Sequence, residues 1–172
     1  LENFYDKLIR QTRIVLNAAR NHNLQVLFVL THGMEFRTLI RPKIIVGETA
    51  EGIQMREKFF RDFLEPFFTT FRDDSSVFGF EAMSMPEEII DKAAGGRWER
   101  GDFRNNATNS VPLEILKEFI ERICKTIRSH TQGKLVTLRI CAGNDKLFNL
   151  FKQLDLDYYS IIWAPREKNV QA

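Results

Sequence analysis

The run "VFGFEAMSMPEE", residues 77–88, decides how the rest of the chain is read. From Val77 to Met83 it is almost entirely apolar or small, as a strand must be when both of its faces are covered. It ends abruptly in Ser84-Met85-Pro86. Acids lie close on both sides, Glu81 before the turn and Glu87 and Glu88 after it, yet none stands at the turn itself.

Outward from this strand the same alternation recurs. Upstream, Arg56 to Arg72 carries Phe59, Phe60, Phe63, Leu64, Phe67, Phe68 and Phe71 at helical spacing, with Pro66 expected to kink it. Asp73-Asp74-Ser75-Ser76 then turns the chain into Val77. Further back, Leu24 to Leu30 is a short, nearly continuous apolar run and reads as another doubly covered strand. Before it, Phe4, Leu8, Val15, Leu16 and Ala19 mark one helix, broken by Asn21-His22-Asn23. Downstream, a helix from Pro112 to about His130 points Leu116, Phe119, Ile120, Ile123 and Ile127 inward, and Pro112 suits its first turn. The strand Leu135 to Cys141, the helix Asp145 to Leu154 and the strand Tyr158 to Trp163 complete the pattern. Residues 31–55 hold charges, three Gly and Pro42 and read as a long loop of functional type, as do residues 87–110.

Four helix-then-strand units separated by tens of residues imply parallel strands joined by right-handed crossovers. The loops that lengthen follow the strands, which is where (β/α) barrels carry their sites. The fold class expected is therefore α/β, a partial (β/α)8 TIM barrel. A barrel closes with eight strands, and this chain supplies about four. Its outer strands would expose unpaired backbone, so a remaining barrel half or a protein partner is expected to cover them.

Composition narrows the function classes. The 172 residues suit one domain, and fifteen Phe promise a well-filled core. A net charge of +2, spread evenly, lacks the basic stripe that nucleic acid binding requires. No stretch approaches the roughly 20 apolar residues of a membrane span. Leu1 opens directly into an amphipathic helix rather than a signal peptide, and the absent initiator Met suggests a processed chain or an excised piece. Cys124 and Cys141 are as easily buried apolar residues as a bridge, which leaves the compartment open. His22, His32 and His130 sit on separate elements without ligand spacing, and no Gly-rich phosphate loop follows a strand, so neither metal nor cofactor is expected.

Four stretches, in order, resemble the cellulase-like glycoside hydrolases of family 5 and their clan A relatives. "LQVLFVLTHG", Leu24 to Gly33, is similar to the third barrel strand of that clan, which commonly ends near a His, here His32 or, one residue away, Thr31. "VFGFEAMSMP", Val77 to Pro86, resembles the fourth strand, usually Gly-Phe/Tyr-Glu-Leu-x-Asn-Glu-Pro. "GKLVTLRICAG", Gly133 to Gly143, fits the fifth, and "LDYYSIIWAP", Leu156 to Pro165, resembles the sixth, often Asp-x-x-Ser-x-His-x-Tyr-Pro. The resemblance implies strands three to six of the barrel and an extracellular or cell-surface setting. It also puts the family Asn at Ser84 and its acid/base Glu at Met85. A retaining glycosidase needs two carboxyl groups about 5 Å apart, and a thioether transfers no proton. Ile162 stands at the family His and Ala164 at its Tyr, while the nucleophile belongs to a seventh strand outside this chain.

Other groups have competing readings. Glu81 matches a frequent family Glu; strand alternation puts it with Gly79, Met83 and Met85, about 13 Å back from the strand end, where pairing with Arg139 is the structural reading. Glu87 and Glu88 are read as the solvated first turn of a helix, or as acids able to swing over the pocket. His32, Glu35 and Arg37 could line a sugar subsite or be ordinary loop residues. The loop of residues 95–110 sets Trp98 and Phe103 among Arg97, Arg100 and Arg104, suited to sugar, to a protein partner or to anchoring the loop. Trp163 matches a position where the family often places a sugar platform, and Asn106-Ala107-Thr108 fits a glycosylation sequon. The expectation is a non-catalytic barrel segment acting in carbohydrate binding or protein docking, with Ser84, Met85, Trp98 and Trp163 at its mouth. An active cellulase- or mannanase-like glycosidase and a structural subunit of an assembly are the alternatives.

Overall fold

A computed structural model describes residues 2–33, 47, 49–90, 111–141 and 145–162, with the backbone alone for residues 2–4 and 146. Helix α1 (Glu2–Asn21) leads into β1 (Val26–Val29). A second helical passage is built of α2 (Ala50–Lys58), a π turn (Phe59–Leu64) and α3 (Glu65–Phe71), and delivers the chain to β2 (Val77–Ser84). After a short 3-10 turn (Pro86–Glu88) come α4 (Leu113–His130), β3 (Leu135–Cys141), α5 (Asp145–Phe151) and β4 (Tyr158–Ile162). The four strands form one sheet in the order β1-β2-β3-β4, every pair parallel. This is a partial (β/α) barrel.

Local chemistry explains the element boundaries. Helix α1 ends where Asn23 adopts φ 54°. Its amide then bonds Arg20 O and the Leu24 amide bonds Ala19 O, the paired closure of a Schellman turn, which Asn tolerates better than most residues. Leu24 thus belongs to the helix end and is exposed, and β1 is shorter than the apolar run suggested. On α1 the buried side is Thr12, Leu16 and Ala19, while Val15 faces out. Helix α2 starts at Ala50, earlier than the Phe periodicity alone implies, because the Thr49 side chain accepts the Gly52 amide as an N-cap.

Pro66 does not break the helical passage. An α-helix would require Pro66 to donate to Asp62 O, which Pro cannot do. The turn before it widens to π spacing instead, with the Glu65 amide donating to Phe60 O. The rings then stack along one side, Phe59 on Phe63 at 5.5 Å and Phe63 on Phe67 at 6.1 Å.

The core lies between this helical layer and one face of the sheet. Phe80 is fully buried, stacked on Phe28 at 6.0 Å and edge-on to Phe68 at 4.9 Å. Phe119 and Ile123 of α4 join Val136, Leu138 and Ile140 of β3 in the same cluster. Gly79 is required by closeness: a Cβ there would meet Leu135 O at 2.3 Å, so the β2–β3 contact tolerates no side chain.

Between β2 and β3 the register is regular until Glu81 pairs with Thr137, after which Ser84 pairs with Arg139. Three steps along β2 match two along β3, so β2 carries a bulge at residues 82–83. Residues paired directly across a ladder share a face. Ser84 therefore joins Glu81, Thr137 and Arg139 on the face away from the Phe cluster. Simple alternation, which put Met83 and Met85 with Glu81, fails here. On the outside, β1 and β4 are the sheet edges, with Val29 45% and Ile161 61% exposed.

Phe80 and Phe78 sit two apart on one strand but differ in burial, 0% against 39% exposed. Truncating Phe80 to Ala should cost about 3–5 kcal/mol, as buried Phe does. Phe78→Ala should cost about 1 kcal/mol or less. Urea denaturation midpoints of the two variants check the difference.

Candidate functional site

The carboxyl end of β2 is where the candidate residues meet. Ser84 N–H donates to Thr31 O at 2.8 Å, and His32 forms an isolated parallel bridge with Ser84, tying the end of β1 to the end of β2. Thr31 Oγ1 donates to Ala82 O at 2.6 Å across the bulge. One residue on, Met85 adopts φ 55°, ψ 55°, the left-handed region that a non-Gly residue occupies only when held there. Its N–H donates to Arg139 O at 2.9 Å and its carbonyl accepts the Glu88 amide at 3.1 Å. Gly33 lies directly against this carbonyl: a Cβ at position 33 would come within 2.1 Å of Met85 O. Strand ends β1, β2 and β3 thus converge on one residue's backbone, and that residue is Met85, half-buried at the turn.

Glu81 has no accessible surface. Arg139 Nη2 stands 2.9 Å from its Oε2, the pairing expected from an interior carboxylate. The approach is off the line of a hydrogen bond, and neither Glu81 oxygen makes one of good geometry. The contact is accordingly one of charge. Burial pushes the Glu81 pKa up, opposed by the Arg139 charge and the Ser84 hydroxyl. Tyr158 across the same face is raised as well, first by burial and then by the Glu81 charge.

Glu87 departs from the sequence reading. It is not on a solvated helix turn: it lies in the 3-10 turn with no accessible surface, and its Oε1 accepts the Cys141 amide at 2.9 Å. Glu88, beside it, keeps part of its surface exposed. Ser84 is buried beside Glu81 rather than open at the mouth. His32 is half-buried at the end of β1, and Ile162 ends β4 paired with Cys141. Glu35, Arg37, Trp98 and Trp163, with the whole loop of residues 95–110, its sequon and Ala164, lie outside the described residues. Sequence reasoning missed the Glu87–Cys141 contact and the approach of Ser84 to Glu81; the first had only Pro86 as a signal, and the second, set by a bulge, had none. Among the described residues no three His, Cys, Asp or Glu side chains gather as a metal site. No described helix is long and apolar enough to cross a membrane.

The raised pKa of Glu81 has a measurable sign. Folding favours its protonated form, so its contribution is present in full below the ordinary value of 4.5 and is lost as pH rises through the folded value. Glu81→Gln should flatten this arm of the stability profile above about pH 4. Arg139→Met, by removing the opposing charge, should destabilise the chain more at neutral pH than at about pH 4. Urea midpoints across that range check both.

No protein-family model matches the chain, and no curated protein does. Solved structures do. The β-mannanase of the blue mussel Mytilus edulis superposes with a TM-score of 0.63 at 17% identity, over 90% of this chain and 49% of the mussel chain. The endo-1,4-β-mannanase of Eisenia fetida gives 0.61 at 18% identity over 86% and 46%. The β-1,4-mannanase of the sea hare Aplysia kurodai gives 0.61 at 16% over 86% and 48%. The chain spans about half the length of each of these proteins. What it shares with them is the fold of half a glycoside hydrolase barrel.

Proposed function

We propose that this chain is the middle of a glycoside-hydrolase-like barrel that binds β-linked sugars, or docks a partner, without cleaving glycosidic bonds. One observation carries this reading. The residue on which the strand ends converge is Met85, and two of the three acids flanking it, Glu81 and Glu87, have no accessible surface, while Glu88 keeps only part of its surface exposed. A general acid must reach within hydrogen-bond distance of the oxygen it protonates, and a thioether has no proton to give. The fold of the mannanases supports the sugar part of the proposal, because a mouth can stack and hydrogen-bond sugar rings without acid chemistry. His32 stands at this mouth, and Glu35, Arg37, Trp98 and Trp163 are the further groups proposed to contact the ligand. The open edges β1 and β4 are proposed to pair with the remaining half of a barrel, whether on the same chain or another.

A second reading, an active β-mannan hydrolase, draws on the same fold and on Glu88, the acid at this turn that retains exposed surface. Titration calorimetry with manno-oligosaccharides beside a reducing-sugar assay separates the two. Binding without release of reducing ends is the outcome expected. Turnover abolished by Glu88→Gln would reverse the assignment. Neither binding nor turnover, with a stable hetero-complex covering the edges, would place the chain among structural subunits.

A further inference from the structure

Glu87 is a charged side chain sealed from solvent immediately after a proline, and the proposed function leaves it without a task. A buried carboxylate is costly unless its position gives something in return. Its Oε2 has no hydrogen-bond partner among the described residues, so full satisfaction of the group is not what keeps it there. Proton donation to a ligand does not account for it either, because it has no accessible surface.

The ladder between β2 and β3 supplies the reason. The last main-chain bond from β2 runs from Met85 N–H to Arg139 O. In a parallel pair, residues two apart on one strand present their groups to the same neighbour. Cys141 N–H therefore faces the place where β2 would offer its next carbonyl. The left-handed Met85 turns the chain aside, and its carbonyl accepts the Glu88 amide instead of continuing the ladder. Glu87 Oε1 fills that vacant acceptor place at 2.9 Å. The chain is thus fastened to β3 on both sides of Met85-Pro86, by a main-chain donor before and a side-chain acceptor after. Gly33 leaves room for the displaced Met85 carbonyl.

We infer that Glu87 is the positioning residue of the mouth: its carboxylate stands in for a strand carbonyl and holds Met85 in the left-handed conformation. The inference goes beyond the proposed function and holds whichever ligand the mouth takes.

Amide hydrogen exchange, read residue by residue by NMR, tests it. In Glu87→Ala the Cys141 and Met85 amides should exchange about tenfold faster or more, the loss expected of a hydrogen bond to a charged acceptor. The α4 amides should keep their protection. Glu87→Gln retains a carbonyl oxygen in the same place and should restore Cys141 protection to within about threefold of the parent. Met85→Gly removes the resistance to a left-handed backbone, so Glu87→Ala should disturb residue 85 less in that background, a non-additivity of several-fold in exchange rate. That double variant also serves if Glu87→Ala alone does not fold. Unchanged Cys141 protection in Glu87→Ala, no rescue by Gln, or strict additivity with Met85→Gly would each overturn the role.

Discussion

The parallel ladder on both sides of β2 is the constraint from which the rest of the molecule follows. A parallel neighbour cannot be reached by a tight turn, so each strand must be preceded by a helical crossover long enough to return the chain to the start of the sheet. Those helices need an apolar floor, and β2 supplies its centre in Phe80, between Phe28 of β1 and Phe68 of α3. The ladder must also be close, and Gly79 lets β3 approach to a distance that no Cβ would permit. The π turn before Pro66 is part of the same economy: it absorbs a residue that cannot donate and keeps the Phe side chains aimed at the sheet.

The opposite face of the sheet is governed by charge. Glu81, Arg139, Thr137 and Ser84 share it, and Tyr158 feels the Glu81 charge. An interior carboxylate with one imperfectly aligned guanidinium is poorly stabilised, which is why burial wins and its pKa rises. Toward the carboxyl end the polar groups take on a different task. Thr31, Ser84, Met85 and Glu87 tie three strand ends together through main-chain groups, the Thr31 hydroxyl and a single carboxylate. The mouth is built for fixed geometry.

The turn after β2 combines fixed geometry with two sealed acids, Glu81 and Glu87, and one partly exposed acid, Glu88. The framework of half a (β/α) barrel is shared with the mussel structure at low identity, as expected when packing rather than particular residues preserves a fold. A fold passes on the position of a strand end, not the chemistry of the side chain there. At the end of β2 the side chain is the thioether of Met85, which can fill space but cannot move a proton.

The helices and strands, their order and the parallel barrel class were legible from the amino acids, because those rest on periodicity and on which runs are apolar on both faces. It also pointed to Arg139 as the partner of Glu81, since a carboxylate inside a strand must be matched somewhere nearby. The helix end at Asn23 was legible for a local reason, the tolerance of Asn for a left-handed backbone. Three features arise from packing between elements distant in the chain. The bulge at residues 82–83 places Ser84 on the face of Glu81, and a bulge depends on how two strands fit together rather than on either alone. The π turn resolves a conflict between Pro66 and the Phe layer that sequence could read only as a kink. Glu87, in a local context that reads as a solvated helix start, is drawn inside to accept an amide fifty-four residues away, and that partner lies on another strand, beyond the reach of a local pattern.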